Sequence, residues 1–359
     1  MITESDLAYL HEAVALAERG LFTTTPNPRV GCVIVRDGLV LGRGWHRWPG
    51  QAHAEINALR DAGGDVAGAT VYVSLEPCTV YGRTPPCVDA LVAAGVKRVV
   101  AGASDPDSRV NGRGFERLGA AGIECEAANL PAALNLNAGH RLRFVEGRPL
   151  IRIKMAASLD GRTAMASGES QWITGAAARQ DAQYWRARSC AIVTGIGTVL
   201  ADDPRLNVRD GAYALDGRLR APLRVVADSG MRTPAGSRLF AEDGAVLIAH
   251  AGSAGLAHPH AQCLKCGDGR VNLRGLMAVL AERGCNEVLV EAGPTLAGAL
   301  IGEELWDEMI LYLAPRLLGA AARPLIDRDI EWLADAVSGR FDDCVPVGED
   351  LRLHLVRGE

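Results

Sequence analysis

His53, Glu55, Cys78 and Cys87 are the side chains whose types and spacing can do chemistry together. His53 and Glu55 stand two residues apart in GQAHAEINAL, where an apolar-periodic helix begins, and Cys78 ends SLEPC, just past the strand VYVS. Cys87 opens the next helical run after an eight-residue connection, TVYGRTPP. One imidazole and two thiolates, read as lying at helix starts, give three zinc ligands and leave a fourth tetrahedral position for water, as a catalytic zinc requires. Helix N-termini also favour the thiolate form of both cysteines. Glu55 is close to the metal yet free to carry a proton, and zinc lowers the pKa of bound water enough to make a nucleophile near neutral pH.

Two α/β units are expected to position these groups, meeting near Glu146-Gly147-Arg148-Pro149. In residues 1–147, β-rich runs at 30–35, 70–74 and 98–101 alternate with helical stretches at 6–19, 54–61 and 88–94. In residues 148–359, strands are expected at 150–155, 191–194, 223–227, 245–249, 287–290 and 309–313, with helices at 176–186, 273–283 and 296–302. Gly195-Ile196-Gly197-Thr198 reads as a short glycine turn, and 209–222 as a surface loop. Gly293-Pro294-Thr295 ends the strand EVLVEAG before a helix and offers backbone N–H groups to a phosphate.

The 359 residues, with 48% hydrophobic and 23% charged side chains, exclude disordered and fibrous classes. A net charge of −5 argues against a general nucleic-acid binder, though not against a local pocket for one phosphate group. No uncharged apolar run reaches the ~18–20 residues of a membrane helix, and MITESDLAYL lacks a basic, then apolar, leader. The expectation is a cytoplasmic protein without membrane or nucleic-acid partners. A homo-oligomer is compatible with the sequence, which sets no oligomeric state. Nine scattered cysteines read as metal ligands and buried thiols, not as a disulfide scaffold. His258, His260, Cys263 and Cys266 crowd together, but 262–266 also reads as a short strand, so no second metal is assigned.

His-x-Glu with a following Pro-Cys is the pattern of zinc nucleobase deaminases, whose glutamate is the general acid and base, not a ligand. TPNPRVGCVIV, GQAHAEINAL, SLEPC, GRTPPC and DPDSRVNGRG, with MAASLDGRTA, SGESQWIT, TVLADDP and VEAGPTLAGAL in the second half, resemble the bifunctional riboflavin-biosynthesis deaminase/reductase family. The resemblance covers nearly the full chain. It implies a cytidine-deaminase-like α/β/α sandwich at 1–147 and a dihydrofolate-reductase-like α/β domain at 148–359. The first would deaminate a diaminopyrimidinone carrying a ribosylamino 5-phosphate, a small-molecule pyrimidine substrate; the second would reduce the ribosyl side chain to ribityl with NADPH.

Carried over by residue, the resemblance gives zinc (Zn2+) to His53, Cys78 and Cys87, proton transfer to Glu55 and substrate placement to Asn27. It gives NADPH to Ala156, Trp172, Thr198, Asp202 and Ser229 and to the turn Gly293, Pro294, Thr295, Leu296, Ala297, Gly298 and Ala299. Ser170, Arg186, Leu206, Arg209 and Glu291 fall to the ribosyl phosphate, where the two arginines can offer forked donors to the dianion. For each arginine alone, a solvated surface role is the ordinary alternative. The family has Ser-His after its first zinc cysteine; this chain has Thr79-Val80, so any contact of that histidine is lost or falls to Tyr81 or His46. The loop with Gly82 and Arg83 would add a basic side chain to the pocket. Three alternatives remain: a nucleoside or tRNA adenosine deaminase fused to an unrelated domain, another zinc nucleobase deaminase fused to a pyrimidine reductase, and a binding module with a structural zinc. Against the last stands Glu55, a carboxylate that a structural site does not need.

Overall fold

In the strand GCVIVR, Cys32 and Ile34 point to one side and Val33 and Val35 to the other, and all four are buried. A strand apolar on both faces needs a layer on each. The computed structural model, which describes residues 1–81, 85–253 and 257–358, supplies both. The chain divides into two units, Met1–Gly147 and Arg148–Glu359.

The first unit runs α1 (Glu4–Glu18), β1 (Gly31–Arg36), β2 (Leu39–Trp45), α2 (Ala54–Ala62), β3 (Thr70–Val73), α3 (Cys87–Ala93), β4 (Arg98–Ala101), α4 (Arg113–Ala120), β5 (Glu124–Ala127), α5 (Pro131–Leu136) and α6 (Ala138–Val145). Its sheet has the order β2-β1-β3-β4-β5. β1 is antiparallel to both its neighbours, and β3, β4 and β5 are parallel. Residues from α2, α3 and α4 pack with Cys32, Ile34, Val71, Val73 and Val99; residues from α1 and α5 pack on the opposite face with Val33, Val35, Tyr72 and Val100. Gly44 of β2 lets the first turn of α2 lie against the strand: a Cβ there would come within 2.3 Å of the Ala54 carbonyl and the Ala58 amide nitrogen. The residue seating α2, and with it His53 and Glu55, is thus a glycine for reasons of space.

The second unit contains β6 (Leu150–Ser158), β7 (Arg162–Ala164), α7 (Ala176–Arg188), β8 (Ala191–Gly195), α8 (Ile196–Asp202), β9 (Leu223–Ala227), β10 (Val246–His250), β11 (Gln262–Lys265), α9 (Leu273–Glu282), β12 (Glu287–Glu291), α10 (Pro294–Gly302), β13 (Glu308–Ala314), β14 (Arg323–Pro324), β15 (Gly339–Val347) and β16 (Asp350–Arg357). Nine strands form one sheet, β11-β10-β9-β8-β12-β6-β13-β16-β15. From β11 to β13 neighbouring strands are parallel; the β15–β16 hairpin adds an antiparallel edge. β6, the first strand in sequence, lies between β12 and β13. Val288 and Val290 of β12 face α9 and α10, and Leu289 faces Ala178, Ala182 and Trp185 of α7, so both faces are covered. No described helix is long and apolar enough to cross a membrane.

The strands and helices expected from the sequence form within two residues of their anticipated ends, except that the strand expected at 150–155 runs on to Ser158. The glycine turn expected after β8 is instead the start of α8, with Gly195 as N-cap and Gly197 and Thr198 inside the helix. β2, β5 and the β15–β16 hairpin carried too little signal, Gly42 and Gly44 breaking the apolar pattern of β2. The 209–222 stretch holds only a 3-10 turn at Gly211–Tyr213 and an isolated bridge between Leu215 and Arg218.

Candidate active sites

His53 is the N-cap of α2 and Cys87 the first residue of α3, while Cys78 lies in irregular backbone after β3. The expectation that Cys78 also opens a helix is therefore corrected. It still uses a helix start, because the first amide of α3, Cys87 N–H, donates to its sulfur at 3.4 Å. His53 Nδ1 stands 3.2 Å from Cys87 Sγ and 3.5 Å from Cys78 Sγ. The three ligand atoms lie within 4.8 Å of one another, the one such group among the described residues. A hydrogen bond from the Cys87 thiol, with His53 and the Cys87 amide beside it, holds the Cys78 thiol down to about 5. One nitrogen and two sulfurs converging at this spacing suit zinc.

Glu55, in the first turn of α2 and buried, forms a hydrogen bond with the Cys87 thiol. Burial, and then the Cys78 charge, push its carboxyl upward. His46 stands edge-on to His53, with ring centres 5.2 Å apart. Its Nδ1 lies 3.1 Å from the Ala52 carbonyl and its Nε2 3.0 Å from Asn27 Nδ2. Burial pushes His46 down to about 4, so the ring is neutral: Nδ1–H donates to Ala52 and Nε2 accepts from the Asn27 amide. Asn27 is thereby left with its side-chain oxygen to offer. Val80 and Tyr81 line a neighbouring pocket, and Gly82 and Arg83 lie outside the described residues.

In the second unit, β8 and β12 are parallel neighbours, and each runs into a helix whose N-cap is a glycine without a side-chain cap: Gly195 for α8 and Gly293 for α10. Two helix starts with free N–H groups at adjacent carboxyl ends of a parallel sheet suit the pyrophosphate of a dinucleotide, so the residues fit NADPH. Thr198 is in α8, and Thr295, Leu296, Ala297, Gly298 and Ala299 are in α10 behind Pro294. Ala156 pairs with Tyr312 across β6 and β13, and Ser229 Oγ accepts from the Val271 amide. Ser170 donates to Asp202 at 3.0 Å, joining a residue expected at the substrate to one expected at the cofactor. Trp172 is exposed, with the Arg179 guanidinium over its ring at 4.5 Å.

Arg186 behaves differently from expectation. Its Nε and Nη2 donate to the two oxygens of Glu291, at 2.5 and 2.8 Å, and its Nη1 to the Asn207 carbonyl at 3.1 Å. Its fork is spent on Glu291, so Arg186 orients that carboxylate, while the Arg209 guanidinium has no side-chain partner among the described residues. Arg209 and Arg179 line one cavity of about 430 Å³ with Gln180, Gln183 and Asp210. Burial, and then Arg186, push the Arg209 pKa down. Leu206, buried with φ +50°, lies in the loop leading to Arg209.

Sequence reasoning missed Lys154, whose position on β6 pairs in register with Glu291 on β12. A charge in the middle of the apolar strand LIRIKMAAS was the available signal. Arg152 carries the same signal with another meaning, pairing with Glu287 and Glu308. His258 stacks on Phe240, and the Cys266 thiol donates to the Asn272 carbonyl.

A zinc-type ligand triad on one α/β unit and a dinucleotide-type crevice on another define a two-domain deaminase and reductase. Residues 3–103 match the cytidine and deoxycytidylate deaminase zinc-binding region, and residues 149–351 match the RibD C-terminal domain. The riboflavin biosynthesis protein RibD of Escherichia coli is 48% identical over 98% of this chain and 99% of its own length. That of Haemophilus influenzae is 42% identical over 98% and 97%. Acinetobacter baumannii RibD superposes with a TM-score of 0.93 at 44% identity, covering 99% of both chains. A diaminohydroxyphosphoribosylaminopyrimidine deaminase/5-amino-6-(5-phosphoribosylamino)uracil reductase from Thermotoga maritima superposes at 0.87 with 28% identity, covering 98% of this chain and 99% of that one. The chain belongs to the RibD family of riboflavin biosynthesis proteins: a bifunctional enzyme with a cytidine-deaminase-like domain, a dihydrofolate-reductase-like domain, and zinc and NADPH as cofactors.

Proposed function

We propose that the first unit releases ammonia from a diaminopyrimidinone bearing a ribosylamino 5-phosphate. The second then reduces the ribosyl group with NADPH to give 5-amino-6-ribitylaminouracil 5-phosphate. The observation carrying the deaminase reading is the convergence of His53, Cys78 and Cys87 within 4.8 Å beside the buried Glu55. When bound there, zinc supplies Lewis acidity that makes water a nucleophile. Glu55 takes a proton from the attacking water and returns one to the departing nitrogen, which leaves as ammonia as the ring carbon becomes a carbonyl. Asn27, its amide nitrogen engaged by His46, accepts an N–H of the pyrimidine through its oxygen.

In the second unit, NADPH held at the Gly195 and Gly293 helix starts would supply hydride from its nicotinamide carbon to the ribosyl C1 in its ring-opened imine form, while a proton reaches the imine nitrogen to leave an amine. The protein aligns the two carbons. Arg209 holds the phosphate. Although burial works the other way, Arg186 and Lys154 hold the Glu291 carboxyl down at about 2, so Glu291 meets the polyol as an anion. Ser170, Asp202 and Trp172 border both ligands. Domain limits of 1–147 and 148–359, a cytoplasmic location and the absence of a nucleic-acid partner complete the reading, supported by the division of the backbone and the −5 charge.

Incubating the purified zinc-loaded protein with the diaminopyrimidinone phosphate tests it. Ammonia is expected without NADPH, and NADPH oxidation only once deaminated product has formed. No ammonia, or NADPH oxidation preceding it, overturns the assignment.

A further inference from the structure

Gln180, Gln183 and Arg186 follow one another at three-residue spacing along α7, so successive members are neighbours on the helix surface. Each bonds a different residue of the loop that carries Arg209. Gln180 Nε2 donates to Asp210 Oδ2 at 2.5 Å, Gln183 Oε1 accepts the Arg209 backbone N–H at 2.8 Å, and Arg186 Nη1 donates to the Asn207 carbonyl at 3.1 Å. As α7 is followed forward the loop residues are met in reverse, so the loop is laid antiparallel along the helix and tied to it at 210, 209 and 207. It needs such ties: it begins at Leu206, whose backbone lies in the left-handed region at φ +50°, a conformation that surrounding structure must hold.

Of the three ties, the one at Gln183 is buried, that side chain being only 3% exposed. Burying an amide costs free energy unless it is hydrogen-bonded, and the Arg209 N–H is the one partner Gln183 has among the described residues. The bond also fixes which way the amide faces, since only its oxygen can accept. The Arg209 guanidinium lines the same cavity as Gln183 and has no side-chain partner among the described residues, so its direction follows from the backbone that carries it. One turn further along α7, Arg186 holds the Glu291 carboxylate with Nε and Nη2. A single rigid helix thus sets both the backbone of Arg209 and the side chain of Glu291.

We propose that Gln183 is a positioning residue of the reductase: by accepting the Arg209 amide at a fixed point on α7, it aims the Arg209 guanidinium at the substrate phosphate, in register with Glu291. It touches no reacting atom and acts through Arg209. The inference rests on the assignment of Arg209 to the phosphate.

NADPH oxidation is measured on the full-length enzyme with the deaminated ribosylamino compound, phosphorylated and dephosphorylated. Gln183→Met keeps nearly the length of the side chain and removes the acceptor; Gln183→Asn withdraws it by one methylene with less disturbance of packing. Each is expected to raise KM for the phosphorylated compound by roughly 3- to 30-fold. KM for the dephosphorylated compound, kcat, NADPH affinity by fluorescence titration and ammonia release should stay at wild-type values. In an Arg209→Ala background either substitution should add less than about twofold, because the residue it positions is gone. A merely structural role would raise KM for both compounds and add in full to Arg209→Ala. Equal losses on the two compounds, full additivity, or no loss in either variant overturns the proposal. If Arg209→Ala itself weakens both compounds alike, the phosphate assignment of Arg209 falls instead.

Discussion

Glu55 and Cys87 share a hydrogen bond, yet their removal should have separable results. Glu55→Gln keeps the three ligand atoms and the shape of the site but cannot carry the proton; ammonia release should fall ~10²–10⁴-fold. Zinc content and reduction of a deaminated substrate should stay at wild-type values, and ammonia release within a few-fold of wild type would remove Glu55 from its role. Cys87→Ala deletes a ligand, and metal analysis should show the zinc gone. In the other unit, Arg209→Ala should raise the reductase KM for the phosphorylated substrate by roughly 10- to 150-fold. NADPH affinity should be unchanged, since the helix starts at Gly195 and Gly293 are untouched; a loss of NADPH affinity would move Arg209 to the cofactor.

At the scale of elements, catalysis in the first unit depends on α2 lying flat on β2. Gly44→Ala places a methyl group against the Ala54 carbonyl and the Ala58 amide. Overpacking of this kind costs ~1–3 kcal/mol, so thermal unfolding should shift down by several degrees. Zinc loading should weaken with it, because His53 caps that helix. An unchanged melting curve with full zinc would show that α2 can move away freely. The sequence displayed α2 by its apolar period and the buried parallel strands by their valine-rich runs. It hid β2, where the glycines that admit α2 erase the strand signal, and it hid the engagement of Arg186 with Glu291, which leaves Arg209 alone for the phosphate. That pairing depends on Glu291, which is distant in sequence and brought beside Arg186 by the packing of α7 on β12. His53, Cys78, Cys87 and Glu55 were legible because helix starts and short motifs fix local geometry. The cavity lined by Arg179 and Arg209 was not, since it forms between two segments some thirty residues apart.

The molecule as a whole should respond to acid through its internal ion pairs. Glu308 in β13 faces Arg152 at 2.6 Å and His354 at 3.1 Å. Burial works to raise its carboxyl, but Arg152 and His354 prevail and hold it at about 2, below the ordinary 4.5. A carboxyl depressed on folding contributes stability above its unfolded pKa and loses that contribution as pH falls toward its folded one. Calorimetry should therefore find this contribution constant from pH 7 to about 5 and lost between about 4.5 and 2. In Glu308→Gln that acid-dependent part should be missing; an identical acid profile in the variant would show that the pair is not what titrates.

The place of β6 in its sheet bears on how the polypeptide is made. Leu150–Ser158 leaves the ribosome with neither lateral partner in existence, since β12 begins at Glu287 and β13 ends at Ala314. At ~5–20 residues per second, the wait for β12 is of the order of ten seconds. Throughout that interval a nine-residue strand, buried at seven positions in the finished protein, has no ladder to join. Nascent chains stopped short of β13 should accordingly be the ones that bind holdase chaperones and aggregate, and release should coincide with emergence of the residues near 314.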